Sequence, residues 1–288
     1  MGSKNISTLI KDIYAILDNP EPFDEKLVEE FGQSLAKLLS SRLAEERANT
    51  TLRLSNWDAR CERQLWLKIN MPQLVEPLPP PVRLKFLTGD VMEAVLLFLA
   101  RAAGHSVVGE QDEVQLGGVV GHRDGIIDGR TVDAKSASPY AFRKFADHTL
   151  PGDDAFGYIG QLGSYVKSSE DDERVTDKSR GSFLAINKVS GELALDTYEF
   201  TESKESIEGR IAAKQKMLDG PMPPRGYSDE EMGKSGNRKL GVACSYCPCK
   251  LHCWPGLRAF AYSGGPVYLT SVKDQPRVPE IPIEGGHD

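Results

Sequence analysis

Asp124, Asp133 and Lys135 are the residues of this sequence best placed to do chemistry together. They lie in the run Gly121-His122-Arg123-Asp124-Gly125-Ile126-Ile127-Asp128-Gly129-Arg130-Thr131-Val132-Asp133-Ala134-Lys135. The run reads as two short strands around a tight turn, with Asp128-Gly129 as a strong hairpin signal. Side chains alternate across a strand, so Asp133 and Lys135 share a face. A carboxylate from each strand plus one ammonium is what metal-dependent phosphodiester hydrolysis needs. Such an ester is an anion that repels nucleophiles, and divalent cations offset that charge and deliver an activated water.

The elements around this hairpin must position it. Apolar residues at helical spacing predict helices over 6–17 and 25–48, a docking or lid element with no chemistry of its own. Ser55-Asn56 could cap a helix carrying Trp57, Cys61, Leu65 and Trp66. Pro77 to Pro81 is a rigid connector. Leu84 to Ala103 predicts a long apolar helix closed by Gly104, with Glu93 an acid on an otherwise core-forming element. Residues 106–115 read as a strand, 139–148 as a short helix, and 155–167 as a helix with Gln161 and Tyr165 one turn apart on one face. The charged run 168–180 predicts a solvated loop, 183–189 and 193–200 a second hairpin, and Ser203 the N-cap of a helix reaching Leu218. Residues 221–240 read as a linker. This order gives a mixed α/β fold, a central mixed β-sheet flanked by helices. The expected divisions are a helical segment over 1–50, a catalytic domain over 51–262 and a weakly ordered tail over 263–288.

Taken together, Gly89-x-x-x-Glu93, Gly121-x-x-Asp124, Asp133-x-Lys135 and Gln161-x-x-x-Tyr165 resemble the PD-(D/E)XK nuclease superfamily in its RecB-like exonuclease branch. These core motifs span about 85 to 167. The resemblance implies a restriction-endonuclease-like core. Asp124, Asp133, the carbonyl of Ala134 and Glu93 would hold Mg²⁺ or Mn²⁺, hard cations suited to oxygen ligands. Lys135 would position the attacking water or stabilise developing charge. Gln161 and Tyr165 would line the site and help hold the strand. The sequence departs from the branch at one position: Glu93 stands where many RecB-like nucleases carry His. A carboxylate is harder than imidazole, so less preference for Mn²⁺ is expected. His122 is the alternative fourth ligand.

The chain has five cysteines, Cys61 alone and then Cys244, Cys247, Cys249 and Cys253. A Cys-x2-Cys pair first suggests a structural zinc site. Cys253 follows Cys247 too closely for an ordinary zinc ribbon, whose pairs are widely spaced. The spacing Cys244-x2-Cys247-x5-Cys253, with Cys61-Glu62-Arg63-Gln64-Leu65-Trp66 upstream, is similar to the iron–sulfur subgroup of the same branch, which includes the AddB nuclease domain and CRISPR-associated RecB-like exonucleases. The resemblance implies a 4Fe–4S cluster on Cys61, Cys244, Cys247 and Cys253, with Cys249 spare and Zn²⁺ the alternative. Such a cluster would staple a helical cap by closing a loop of roughly 180 residues.

A formal net charge of −7 announces no global basic field, so any nucleic-acid contact must be local. Arg53, Arg60, Arg63, Lys68, Arg83, Lys85, Arg143 and Lys144 surround the motif segments, with Trp57 and Tyr140 interleaved. Cations of this kind contact phosphates, and aromatics stack on unpaired bases. No membrane span and no signal-type run is evident, so a cytoplasmic protein is expected, in a host cytoplasm if phage-encoded. The expected function is a metal-dependent DNA exonuclease acting at free or single-stranded ends in recombination, repair or replication, alone, as a homo-oligomer or with partner proteins. An endonuclease on the same core and a zinc-stabilised, non-catalytic nucleic-acid-binding protein are the alternatives.

Overall fold

The computed structural model describes residues 4–19, 22–44, 51–154 and 156–283. Two compact units divide the chain: Met1–Arg47, Leu52–Asp58 and Pro79–Lys214 form the first, and Ala48–Thr51, Ala59–Leu78 and Gln215–Asp288 the second. The division differs from the one expected. The N-terminal helices belong with the motif-bearing core, whereas all five cysteines belong to the second unit.

In the first unit, α1 (Leu9–Asp18) and α2 (Glu25–Ala44) come first; the expected extension of α2 to residue 48 lies outside the described residues. Helix α3 (Glu62–Asn70) belongs to the second unit. The first unit continues with α4 (Pro80–Ala102). Pro80 and Pro81 suit the helix start, where the N–H groups are unpaired in any case. Its end is a Schellman turn: Gly104 takes φ 83°, its N–H donates to Arg101 O at 2.8 Å, and the His105 N–H donates to Ala100 O at 3.0 Å.

The main sheet has the order β1-β4-β5-β6-β7. Its strands are β1 (Val107–Val108), β4 (Gly125–Ile127), β5 (Arg130–Ala137), β6 (Arg180–Asn187) and β7 (Leu193–Glu199), while β2 (Asp112–Leu116) and β3 (Val119–Arg123) pair as a separate ribbon. Strands β5 and β6 are parallel and the other pairs antiparallel, so the sheet is mixed as expected. A parallel pair needs a crossover, supplied here by α5 (Pro139–Ala146) and α6 (Tyr158–Ser168). One face packs on α1 and α4 through Leu9, Ile13, Leu96, Leu97, Val132, Ala134 and Leu184. The other packs on α5 and α6 through Phe142, Phe145, Leu162, Phe183 and Ala185. Helix α7 (Lys204–Leu218) starts at Ser203, whose hydroxyl accepts the Ser206 N–H. The 168–180 segment is not the free loop its charge suggested: Asp172 binds buried Arg123 at 2.5 Å and Arg174 at 2.8 Å.

In the second unit, β8 (Glu230–Met232) and β9 (Asn237–Lys239) occupy the expected linker. After the short helices α8 (Val242–Ser245) and α9 (Lys250–Cys253) come β10 (Arg258–Tyr262), β11 (Gly265–Ser271) and β12 (Glu280–Ile281), in a five-stranded sheet of order β12-β10-β11-β9-β8. The expectation of a weakly ordered tail is therefore corrected as far as residue 283. Ala259, Phe260 and Leu269, all buried, supply the apolar core that Pro and Gly content obscured. No helix among the described residues is long and apolar enough to cross a membrane.

The β4–β5 turn holds Asp128 at φ 47° and Gly129 at φ 80°, the left-handed pair that a two-residue hairpin requires. A methyl group at 129 would also overlap Thr176. Gly129→Ala is expected to cost at least about 1–2 kcal/mol, read as a lower midpoint in urea unfolding; an unchanged midpoint would show that this turn does not set the register.

Candidate active site and thiol pocket

Strand β5 is central and buried along most of its length, and alternation gives its two faces different tasks. Val132 and Ala134 enter the core against α4. Asp133 and Lys135 point to the opposite face and form an ion pair there. Asp124 is not within a strand, as the sequence suggested. It is the single residue between β3 and β4, where the chain passes from the ribbon to the main sheet. Pairing of Gly125 with Val132 nevertheless sets Asp124 opposite Asp133, and its Oδ2 accepts the Ala134 N–H at 2.7 Å.

Helix α6 contributes Gln161, whose Nε2 donates to Asp133 Oδ1 at 3.1 Å and to the Tyr165 hydroxyl at 3.3 Å. Helix α4 contributes Glu93, whose carboxylate lies close enough to Asp133 and Asp124 for mutual repulsion. The six side chains named by the motifs thus converge within the first unit. His122 does not join them: it is exposed in β3 opposite Glu113, because the strand ends at Arg123 and the face it shares does not continue to Asp124.

Too little positive charge serves these acids. Burial, then the Asp133 and Asp90 carboxylates, push Glu93 up to about 7 despite the Gln111 hydrogen bond and Lys135. Burial and the Asp133 and Glu93 charges raise Asp124 well above the carboxylate range. Burial raises Asp133 although Lys135 opposes it. Burial alone would lower Lys135, but Asp133 and Asp124 outweigh it and hold the ammonium above its ordinary range. Burial, then Asp133, keeps Tyr165 protonated.

Three residues at the site carried no motif. Gln111, in the left-handed conformation at φ 54°, donates to Glu93 Oε1 at 2.6 Å; nothing in its sequence context marks that long-range contact. Tyr158 places its ring 5.0 Å below Lys135 Nζ. It precedes Gln161 by one helical turn, a spacing that could have revealed it. Asp154 caps α6 by accepting the N–H groups of Tyr158 at 2.9 Å and Ile159 at 2.8 Å.

Among the described residues no group of three or more His, Cys, Asp and Glu is arranged as a ready metal site. The donor chemistry of the carboxylate cluster still fits a hard cation. Glu93, Asp124 and Asp133 are oxygen donors that raise one another's proton affinity, and a divalent cation relieves that repulsion.

The second unit holds the cysteines, all of them free. Cys61 is the N-cap residue of α3, not part of a helix begun at Ser55; the 54–58 segment is a turn in which Asn56 Oδ1 accepts the Arg53 N–H at 2.9 Å. Trp57 belongs to the first unit's core at 1% exposure, so it is not a surface stacking residue. Cys61, Cys244, Cys247, Cys249 and Cys253 line one pocket with Arg63, Gln64, Tyr227 and Trp254. Gly226 lies so close to Cys61 that a Cβ would stand 3.3 Å from its sulfur. The Cys249 thiol, then its N–H, Lys68 and Gln64, lower Cys247 to about 7 against burial, whereas burial and the neighbouring thiolates push Cys244 up to about 11. Four cysteine sulfurs from two distant segments have the donor chemistry of an iron–sulfur or zinc site, and the buried Cys249 is the fifth sulfur rather than a residue pointing elsewhere.

No protein-family model matches the chain, and no curated protein matches it. Among solved structures it is similar to one titled "Crystal structure of SSO0001", at 15% identity over 76% of this chain and 93% of that chain, with a TM-score of 0.41.

The raised acids have a consequence for stability without metal. Glu93 binds its proton more tightly folded, at about 7, than at its ordinary 4.5, so between these values the folded state carries the extra proton. Stability in EDTA therefore falls as pH rises from about 4.5 to about 7. Urea midpoints across that range should show the fall, Glu93→Gln should flatten it, and Mg²⁺ should oppose it; a midpoint that rises with pH would contradict the assignment.

Proposed function

We propose that this chain is a metal-dependent DNA exonuclease of the RecB-like PD-(D/E)XK kind, hydrolysing phosphodiester bonds at DNA ends and carrying a 4Fe–4S cluster in its second unit. One observation carries the reading. Glu93, Asp124, Asp133, Lys135, Gln161 and Tyr165, drawn from α4, the β3–β4 junction, β5 and α6, meet around an uncompensated group of carboxylates.

Glu93, Asp124, Asp133 and the carbonyl of Ala134 would hold Mg²⁺ or Mn²⁺. When bound, the cation supplies charge neutralisation at the phosphoryl oxygens and acidifies water. Lys135 remains an ammonium at neutral pH, fit to orient a water or to stabilise negative charge developing in the transition state. Gln161 fixes the Asp133 carboxylate and leaves the Tyr165 hydroxyl as a neutral donor beside it. On the second unit, Cys61, Cys244, Cys247 and Cys253 would ligate the cluster, whose role is structural: four thiolates bound at one pocket cross-link α3 to the segment after β9. DNA recombination, repair or replication, in a cytoplasm, is the setting this activity fits.

Two measurements test the proposal. Mg²⁺-dependent release of nucleotides from linear DNA should fall about 10²–10³-fold in Lys135→Ala and be lost in Asp133→Ala; unchanged rates would remove these residues from the site, and cutting of closed circular DNA would make the enzyme an endonuclease. Anaerobically purified protein should be brown and contain iron and sulfide, both lost in Cys61→Ser with a lowered melting temperature. Colourless protein holding zinc would replace the cluster with a zinc site.

A further inference from the structure

The turn before α6 presents an aromatic ring to solvent. Gly157 takes the left-handed conformation at φ 75°, and Asp154 closes the turn by accepting two N–H groups from the first residues of the helix. Phe156, immediately before Gly157, is 70% exposed. An apolar ring left in water gives up the stabilisation that burial would bring.

Its underside is not free. The Phe156 ring stacks on Tyr158 with centroids 5.5 Å apart and planes at 29°, and Tyr158 stacks on Phe145 at 6.4 Å and 29°. Three rings therefore run from the core, where Phe145 is 2% exposed, to the surface. The middle ring is the one beneath Lys135 Nζ. The open face of Phe156 is one stacking step from the ring that supports the site's ammonium. A second exposed ring, Tyr140, is tied to the same turn: its hydroxyl meets Asp153 at 3.5 Å, and Lys144 Nζ lies 5.2 Å from its centroid. Lys144 also pairs with the Asp153 carboxylate at 2.6 Å, and Asp154 is occupied with backbone N–H groups, so both acids of the turn are engaged. Arg143, exposed on α5, follows Tyr140 by one helical turn.

A flat apolar face beside cations matches a nucleobase flanked by phosphates. In a closed duplex each base already stacks on its neighbours, so a ring of this kind gains a contact from an unpaired base. We propose that Phe156, backed by Tyr158, is a stacking platform for an unpaired base of the strand bound at the Glu93–Asp124–Asp133–Lys135 site. The assignment rests on the nuclease reading of that site. Phe156 is a positioning residue, acting on the strand and not on the reacting atoms.

The test uses the full chain and two probes, an oligo(dT) strand and a relaxed, covalently closed circular duplex. In EDTA, fluorescence anisotropy should show Phe156→Ala binding oligo(dT) about tenfold more weakly, as expected for the loss of one base–aromatic stack. Phe156→Leu should resemble it and Phe156→Tyr should retain affinity. The added fluorescence of Phe156→Trp should be quenched by oligo(dT) and not by the closed duplex. With Mg²⁺, Phe156→Ala should raise KM for oligo(dT) hydrolysis with little change in kcat. Unchanged affinity in Phe156→Ala, no quenching in Phe156→Trp, or equal quenching by the closed duplex would overturn the platform. If the Phe156 variants give the stacking signature but wild-type protein releases no nucleotide, the nuclease reading is overturned and the platform stands.

Discussion

An acid and an amine on one buried strand are the constraint on which the first unit depends. Val132 and Ala134 commit one face of β5 to the apolar core beneath α4. The pleat then sends Asp133 and Lys135 to the other face, among helices. A slip of one residue would exchange the two sets and place charges in the core. Parallel pairing of Thr131–Ala137 with Gly181–Asn187 holds the register along the strand. Burying a charge is costly unless it is paired, and Lys135 with Gln161 meets that need for Asp133. Among the described residues nothing comparable serves Glu93 and Asp124 together. The excess negative charge that remains is a physical reason for a cation to belong there.

Asp124 is held with equal care. One residue earlier, the buried guanidinium of Arg123 reaches Asp112 at 3.0 Å, Asp172 at 2.5 Å and Ser169 Oγ at 2.9 Å, fixing the end of the ribbon to the 168–180 segment. One residue later, β4 enters the main sheet. The Ala134 N–H then fixes the carboxylate itself. A residue between two anchored strands has little freedom of its own, which is the arrangement a preorganised ligand requires.

The central hairpin, α4, α6 and the second hairpin were legible because local signals and tertiary demands agree there: Asp128-Gly129 supplies the turn, and apolar spacing supplies the core faces. The gathering of Glu93 with Asp124 and Asp133 was readable only through the order of the motifs, since their proximity is produced by packing between α4 and β5. Gln111 was illegible for a related reason. Its partner Glu93 lies on another element, and its left-handed backbone is imposed by the turn it occupies. Trp57 misled because its position among arginines suggested a surface, whereas Leu54, Leu116 and Tyr165 enclose it. The strands after residue 257 were hidden by glycines and prolines around and within them, such as Gly264 in the β10–β11 turn and Gly265 and Pro266 at the start of β11.

Gln111 also bears on the identity of the fourth ligand. A histidine in place of Glu93 would offer one nitrogen to a cation and a second to an outer partner. A carboxylate offers two oxygens, and here one of them, Oε1, already accepts from Gln111. That hydrogen bond favours the ionised acid, while burial and the neighbouring carboxylates favour the protonated one, and the balance falls near neutrality. A cation held there would tip it towards the carboxylate, to which Gln111 already donates. Under the proposed function Glu93 would be a ligand with its orientation already set, which is the part that an outer-shell partner plays for histidine in other metal sites.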